Sequence, residues 1–151
     1  RDGELEAEDL TRDHKPTCET ERQRIEAAGG EVRRLEGDIP YRVFLRGKMY
    51  PGLAMTRAIG DTVGGVAGVT SVPEVSAYEV KDAWRFLLLC SDGVWEFMSS
   101  EEAVSIVGKF SAAEAQKAAE ALAGEAWTRW IQEEGNVVDD ITVLCTWFSE
   151  D

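Results

Sequence analysis

Two places in the sequence put carboxylates where they could gather a cation. Asp92 follows an apolar run, in Phe86-Leu87-Leu88-Leu89-Cys90-Ser91-Asp92-Gly93, and Asp139-Asp140 precedes another, Ile141-Thr142-Val143-Leu144-Cys145. Runs of this length and composition predict strands. If the two pair antiparallel, the end of one lies beside the start of the other, and Asp92 meets Asp139 at one end of a sheet. Carboxylates brought together there either repel or share a cation. Hard oxygen donors with few nitrogen or sulfur donors nearby suit Mg²⁺ or Mn²⁺, and Gly93 lets the backbone approach such an ion closely. A plainer reading is open for the same residues: Asp92 caps a helix starting near Val94, and Asp139 begins a turn.

Other positions carry less specific chemistry. In Thr56-Arg57-Ala58-Ile59-Gly60-Asp61, Arg57 and Asp61 suggest an ion pair that pins a loop. Arg42, Arg46 and Lys48 concentrate positive charge in an acidic chain, which suits either a phosphorylated substrate or a solvated loop. Trp84, Trp95, Trp127, Trp130 and Trp147 read as core or helix-packing residues rather than a ligand box. His14 is the single histidine, so neither a His-rich metal site nor a Ser-His-Asp triad is expected in this sequence. Cys18, Cys90 and Cys145 lack CxxC spacing, which argues against a zinc site and a disulfide framework. Cys90 and Cys145 sit in apolar runs and are expected to be buried free thiols, which fits a reducing, intracellular setting, cytoplasmic or nuclear.

The 151 residues carry a net charge of −13. Such a surface repels phosphate backbones and disfavours nucleic acid as a partner. The longest apolar runs are strand-sized and too short to span a bilayer, so no membrane partner is expected. The first residues have no apolar segment of the kind a secretory signal needs. The absence of an initial Met suggests an excised piece.

Several elements must position these side chains. Residues 4–11 alternate enough to predict a strand. Residues 18–28 are good helix formers with acids at their start, stopped by Gly29-Gly30. Residues 31–35 read as a short strand. Residues 36–73 are rich in Gly and Pro and read as a long irregular loop, which is usually functional. Residues 75–80 alternate as a strand, and residues 84–90 form a run apolar enough for a strand buried on both faces. Ser99-Ser100-Glu101-Glu102 is a capping box opening a helix, and Ser111-Ala112-Ala113-Glu114 opens a longer, Ala-rich one running to about residue 134. Residues 141–148 form a last strand. The mixed order predicts an α+β layered domain.

At the same residues the chain resembles the metal-dependent protein serine/threonine phosphatases of type 2C. Leu53-Ala54-Met55-Thr56-Arg57-Ala58-Ile59-Gly60-Asp61 resembles that family's L-A-[VM]-[ST]-R-[AS]-[FIL]-G-D signature. The segment Phe86-Leu87-Leu88-Leu89-Cys90-Ser91-Asp92-Gly93-Val94-Trp95-Glu96 resembles its F-[LIV]-[LIV]-[LI]-[AC]-[ST]-D-G-[LIV]-W-[DE]. Asp139-Asp140-Ile141-Thr142-Val143 resembles its D-[ND]-[IM]-[ST]-V. Leu10-Thr11-Arg12-Asp13-His14-Lys15-Pro16 and Arg24-Ile25-Glu26-Ala27-Ala28-Gly29-Gly30 also match, in the right order. The resemblance implies part of a four-layer α-β-β-α sandwich of two antiparallel sheets flanked by helices, with residues 1–151 as the C-terminal half of one catalytic domain. It implies Asp92 and Asp139 as metal ligands, two Mg²⁺ or Mn²⁺ ions in the complete domain, and a weaker metal role at Glu96, where the family often has Asp. It also implies a flap-like loop near residues 36–60 carrying Arg42, Arg46 and Lys48, with Arg57 and Asp61 as its structural support.

The family's D-G-H-[GA] metal motif, phosphate-binding Arg and G-D-S-R strand are not in this sequence. The chain is therefore expected to hold no complete catalytic set, and to be inactive alone. The implied activity of the complete domain is direct hydrolysis of phosphoserine and phosphothreonine in protein substrates by metal-activated water. A non-catalytic pseudophosphatase or binding module that keeps the fold is the competing reading; an acidic Ca²⁺-binding module lacks the required D-x-[DN]-x-[DN]-G loop. Half of a sandwich leaves an apolar sheet face uncovered, so the chain is expected to be ordered beside the missing N-terminal half or a second copy of itself.

Overall fold

The computed structural model describes residues 5–38 and 40–148. Among the described residues two compact units emerge: one within Thr11–Ala77, and a second made of residues 5–10 together with residues 78–148. The fold is α+β, each unit containing an antiparallel sheet with helices packed on it.

In the Thr11–Ala77 unit, α1 spans Glu19–Ala27. Acidic Glu19 and Glu21 occupy its first turn, where the helix dipole favours negative charge. Arg22 and Glu26 form an i,i+4 ion pair at 2.8 Å. Strands β1 (Gly30–Arg33), β2 (Arg42–Leu45) and β3 (Pro51–Leu53) follow, in the sheet order β1-β2-β3. The β1–β2 register sets Gly30 opposite Leu45 and Arg33 opposite Arg42; between Val43 and Phe44 the β2–β3 register shifts. Ile25, Val32, Val43, Ala67 and Val69 form the core of this unit. Helix α2 (Thr62–Val66) is capped by Asp61, whose carboxylate accepts from the Gly64 amide at 2.6 Å.

The centre of this unit is Glu21, which is 1% exposed. Its carboxylate accepts hydrogen bonds from Arg24 Nη1 and Nη2 at 2.8 and 2.9 Å, and from Thr56 Oγ1 at 2.5 Å. Arg57 adds Nη2 at 2.8 Å and Nε at 3.1 Å. The Arg57 and then the Arg24 guanidinium hold the carboxyl well below the usual carboxylate range, against the opposing cost of burial. The same arginines reach onward: Arg24 to the Gly68 and Thr56 carbonyls, Arg57 to the Val72 carbonyl.

In the second unit, β4 (Phe86–Cys90) and β5 (Val143–Trp147) pair antiparallel, with Phe86 opposite Trp147 and Cys90 opposite Val143. Helices α3 (Asp92–Trp95), α4 (Ser100–Val107) and α5 (Ala115–Glu134) complete it, with a 3₁₀ turn at Ala112–Glu114. Both capping boxes form as the sequence predicts. Leu122, Ala118, Ala126 and Val107 pack with the inward sheet residues Phe86, Leu88, Cys90, Val143, Cys145 and Trp147. Burial of each large apolar side chain contributes about 1.5–3 kcal/mol. Residues 5–10 are tied in by Glu8, which accepts from Lys81 Nζ and Trp84 Nε1, and by Tyr78, whose hydroxyl donates to the Leu10 carbonyl. Among the described residues no helix is long and apolar enough to cross a membrane.

The structure departs from the sequence reading in several respects. Residues 36–73 are not a structureless loop: they hold β2, β3 and α2, elements too short for a periodic signal but anchored by the fully buried Val43 and Phe44. Residues 75–80 form no strand; alternation marks an extended chain, but a strand needs a hydrogen-bonded neighbour, and Val75 and Val80 are exposed. The strand expected over residues 4–11 is likewise absent from residues 5–11, and Glu4 lies outside the described residues. Strand β4 is not buried on both faces: helices cover one, while Leu89 and Leu144, paired across the ladder, are 54% and 49% exposed on the other. Trp127 is 54% exposed on α5 rather than part of the core. The cysteines are free as expected but half-buried.

Two consequences are measurable. Glu21→Ala leaves Arg24 and Arg57 without their shared anion and is expected to cost about 3–5 kcal/mol in urea unfolding, as breaking buried ion pairs does. Glu102 accepts from Arg129 Nη2 and the Ser99 amide, each at 2.9 Å, and Arg129 first, then the Ser99 amide, hold its carboxyl down to about 2. A depressed folded value stabilises the fold above the ordinary value of 4.5 and loses that contribution as pH falls toward about 2. Tm is therefore expected to fall through this window less steeply in Glu102→Gln than in the unaltered chain.

Candidate functional site

The antiparallel β4–β5 register decides where the two carboxylate positions go. Because Cys90 lies opposite Val143, the chain leaving β4 at Ser91-Asp92 runs beside the chain entering β5 from Asp139-Asp140. Ser91 joins the two segments. Its amide donates to the Thr142 carbonyl at 3.1 Å, its hydroxyl donates to the Asp140 carbonyl at 3.0 Å, and that hydroxyl accepts from the Thr142 amide at 3.0 Å.

Gly93 tightens the junction. A Cβ built on it would stand 2.4 Å from the Asp140 carbonyl oxygen, so a larger residue would push the two segments apart. The close approach this glycine permits is thus to the Asp140 backbone. Its own carbonyl accepts from Trp130 Nε1 at 2.8 Å, and Trp95 Nε1 donates to the Cys90 carbonyl at 3.0 Å. Both ends of the β4–α3 corner are therefore held by half-buried indole donors.

Asp92 is the first residue of α3, not its cap; Ser91 is the N-cap. The Asp92 carboxylate is exposed and makes no hydrogen bond or ion pair among the described residues. The Asp139 carboxylate accepts from the Asp140 amide at 2.7 Å and is otherwise open. Glu96 is exposed at the C-terminal end of α3. Among the described residues no group of three or more His, Cys, Asp or Glu side chains is arranged to hold a metal ion. Asp92 and Asp139 are hard oxygen donors of the kind Mg²⁺ or Mn²⁺ takes, and by themselves would fill only part of such a coordination sphere.

The remaining predicted positions separate. Arg57 and Asp61 do not pair: Arg57 serves Glu21, and Asp61 caps α2, where a short acidic side chain satisfies an otherwise unpaired amide. Arg42 is bound to Asp38 at 2.5 Å and to the Gly52 carbonyl at 3.0 Å, so it braces the sheet. Arg46 and Lys48 lie on the exposed β2–β3 connection. The sequence reading missed Glu21 and Ser91. A clue to Glu21 was available in its spacing: Arg24 sits three residues on, on the same helix face. Ser91 gave none, because its role is visible only once the strands are paired.

Residues 2–134 match the family model described as Protein phosphatase 2C. The chain belongs to the protein phosphatase 2C family. It is 44% identical over 147 residues to "Probable protein phosphatase 2C 61" of Arabidopsis thaliana, covering 95% of this chain and 44% of that protein. It is 42% identical over 149 residues to "Probable protein phosphatase 2C 48" of Oryza sativa subsp. japonica, covering 95% of this chain and 41% of that one. Among solved structures it resembles a serine-threonine phosphatase 2C from Toxoplasma gondii, with a TM-score of 0.76 at 28% identity, covering 94% of this chain and 47% of the other. A C. elegans sex determining protein shares the fold, with a TM-score of 0.71 at 24% identity over 91% of this chain. The chain thus spans less than half the length of these relatives.

The Gly93 contact yields a paired test. Gly93→Ala forces a Cβ against backbone and is expected to cost about 1–3 kcal/mol. Gly124→Ala, in the middle of α5 with nothing within 4 Å of the added Cβ, is expected to be neutral or to stabilise by up to about 1 kcal/mol. Equal effects in urea unfolding would remove the Asp140 contact as the cause.

Proposed function

We propose that this chain is the C-terminal half of a protein serine/threonine phosphatase domain, and that Asp92 and Asp139 are metal ligands of its active centre. One observation carries the reading beyond family membership: the β4–β5 pairing, clamped by Ser91 and Gly93, sets both aspartates at the same end of one sheet. Asp92 opens α3 and Asp139 lies on the irregular segment leading into β5, and the Ser91 and Gly93 contacts tie both segments to the end of the ladder, which suits a site whose geometry must persist.

Bound Mg²⁺ or Mn²⁺ would supply Lewis acidity and charge neutralisation for phosphoester hydrolysis. The chain's own residues would orient that chemistry. Asp92 and Asp139 hold and place the ions, and Glu96, one helical turn from Asp92, serves as a weaker, longer-reaching ligand. The Ser91 hydroxyl holds the Asp140 carbonyl and so steadies the segment that carries Asp139 toward β5. Arg46 and Lys48 belong to the face that meets phosphorylated protein substrates, while Arg42, held by Asp38 and the Gly52 carbonyl, braces the sheet that carries them.

The uncovered sheet face bearing Leu89 and Leu144 supports a second element of this reading. Its occupant is the N-terminal half of the same domain, with a second copy of the chain as the alternative.

Hydrolysis of a phosphothreonine peptide with excess Mn²⁺ tests the whole. The chain alone should show no turnover approaching the order of 1 s⁻¹ usual for enzymes, and the separately expressed remainder of the domain should restore it. In the complete protein, Asp92→Ala and Asp139→Ala should each lower kcat/KM by at least about a hundredfold without unfolding the protein. Asp140→Ala should do less, because alternate residues of an extended segment point to opposite sides. A larger loss from Asp140→Ala than from Asp139→Ala would transfer the ligand role by one residue.

A further inference from the structure

The connection between β2 and β3 differs in charge from the rest of the molecule. Residues 40–60 contain Arg42, Arg46, Lys48 and Arg57 and no Asp or Glu, in a chain of net charge −13. Within the sheet, two of the nearby arginines are already committed. Arg42 is neutralised by Asp38, and Arg33 pairs with Glu31 at 3.2 Å. Arg46 and Lys48 have no carboxylate within ion-pair reach among the described residues, and both are exposed. Beside them Met49 is 66% and Tyr50 is 51% exposed.

The tip is nonetheless built firmly. The Leu45 amide donates to the Tyr50 carbonyl and the Lys48 amide to the Leu45 carbonyl, each at 2.9 Å. Arg33 donates to the Lys48 carbonyl and reaches Met49 Sδ at 3.2 Å, with its guanidinium 4.4 Å from the centre of the buried Phe44 ring. The hairpin backbone is already tied by these bonds, so the cost of binding is confined to ordering the Arg46, Lys48, Met49 and Tyr50 side chains. Methionine adapts its shape to varied apolar partners, and tyrosine adds contact area at low entropic cost.

We propose that this hairpin tip is a docking surface for acidic protein segments: Arg46 and Lys48 receive carboxylates, while Met49 and Tyr50 receive an adjacent apolar side chain. The proposal rests on the reading of the chain as part of a protein phosphatase and names the substrate class that reading leaves open, proteins with acidic sequence flanking an apolar residue. The acid excess elsewhere sharpens the preference, because an acidic segment is repelled from most of the surface and attracted at the tip. An anionic membrane would meet the same cations, but so broad a surface would also face the acid excess around the tip, which a short segment avoids.

The test is fluorescence anisotropy on the complete protein with unphosphorylated, fluorescein-labelled peptides. The probes are a Glu-rich peptide containing Phe, its Gln-for-Glu counterpart and its Lys-for-Glu counterpart. The Glu-rich peptide should bind roughly tenfold more tightly than the Gln form, with an advantage that shrinks as salt is raised. In R46E/K48E that preference should vanish and the Lys-rich peptide should gain, a reversal that a merely misfolded variant cannot produce. Tyr50→Ser should weaken the Glu-rich and Gln peptides alike. No preference in the unaltered protein, a preference that survives R46E/K48E, or tighter binding to phosphatidylserine vesicles than to the Glu-rich peptide would overturn the proposal. Because the probes carry no phosphate, preference without any phosphatase turnover would sink the hydrolysis reading alone. Turnover without preference would sink the docking surface alone.

Discussion

A carboxylate with five hydrogen-bond donors and almost no solvent is the constraint on which the Thr11–Ala77 unit depends. Glu21 lies on α1, but the groups that neutralise it come from two places, its own helix and the Thr56-Arg57 segment. Neither part can move without leaving a charge unpaired in a poorly hydrated site, where the desolvation cost is several kcal/mol. The arginines then spend their remaining donors on carbonyls at Thr56, Gly68 and Val72, so one anion organises backbone that has little regular structure of its own. The Thr56 amide donates to the His14 carbonyl at 2.8 Å, extending the same network to the start of the unit. This explains how short strands and an exposed hairpin tip hold one arrangement: the hydrophobic core of Ile25, Val32, Val43, Ala67 and Val69 is small, and the buried ion network adds the specificity that so few side chains could not.

The other unit solves its positioning problem with hydrogen bonds between neutral groups. Ser91 bridges the two chain segments at the end of the β4–β5 ladder, and Gly93 gives up a side chain so that the Asp140 carbonyl can come near. Indole donors from Trp95 and Trp130 satisfy the carbonyls at Cys90 and Gly93, which would otherwise be stranded where the strand turns into a helix. The aspartates themselves are left out of this framework, so the corner does not depend on their charge.

Much of this was legible in the sequence because it is local. The helix at Glu19–Ala27, both capping boxes, the stop at Gly135 and the strands β4 and β5 follow from residue types within a few positions of one another. The convergence of Asp92 with Asp139 was legible too, since an antiparallel pair fixes which ends meet. What escaped depended on partners distant in sequence. Residues 75–80 have the alternation of a strand and no neighbour to bond. Arg57 and Asp61 look like a pair at four residues' spacing, yet each answers a stronger demand elsewhere, Arg57 from a buried anion and Asp61 from an unpaired helix amide. The apolar composition of β4 promised two covered faces, and its run of leucines does supply two apolar faces; the helices of this chain cover only the inner one.

The contrast between paired and unpaired carboxylates bears on the proposed metal role. Several carboxylates that hold elements together here have arginine beside them: Glu21 with Arg24 and Arg57, Glu102 and Glu125 with Arg129, Asp38 with Arg42. A guanidinium at a structural carboxylate supplies the neutralising charge internally and leaves no room for an ion. At the β4–β5 corner the arrangement is reversed. The backbone is fastened by a serine hydroxyl, a glycine and indole donors, and no guanidinium or ammonium group is paired with Asp92 or Asp139 among the described residues. Two negative charges held at one end of a ladder without an internal cation repel one another unless water screens them or an external cation joins them. The exposed carboxylates of Asp92 and Asp139 are thus left to answer a charge from outside the chain, which is what the metal role proposed for this corner asks of them.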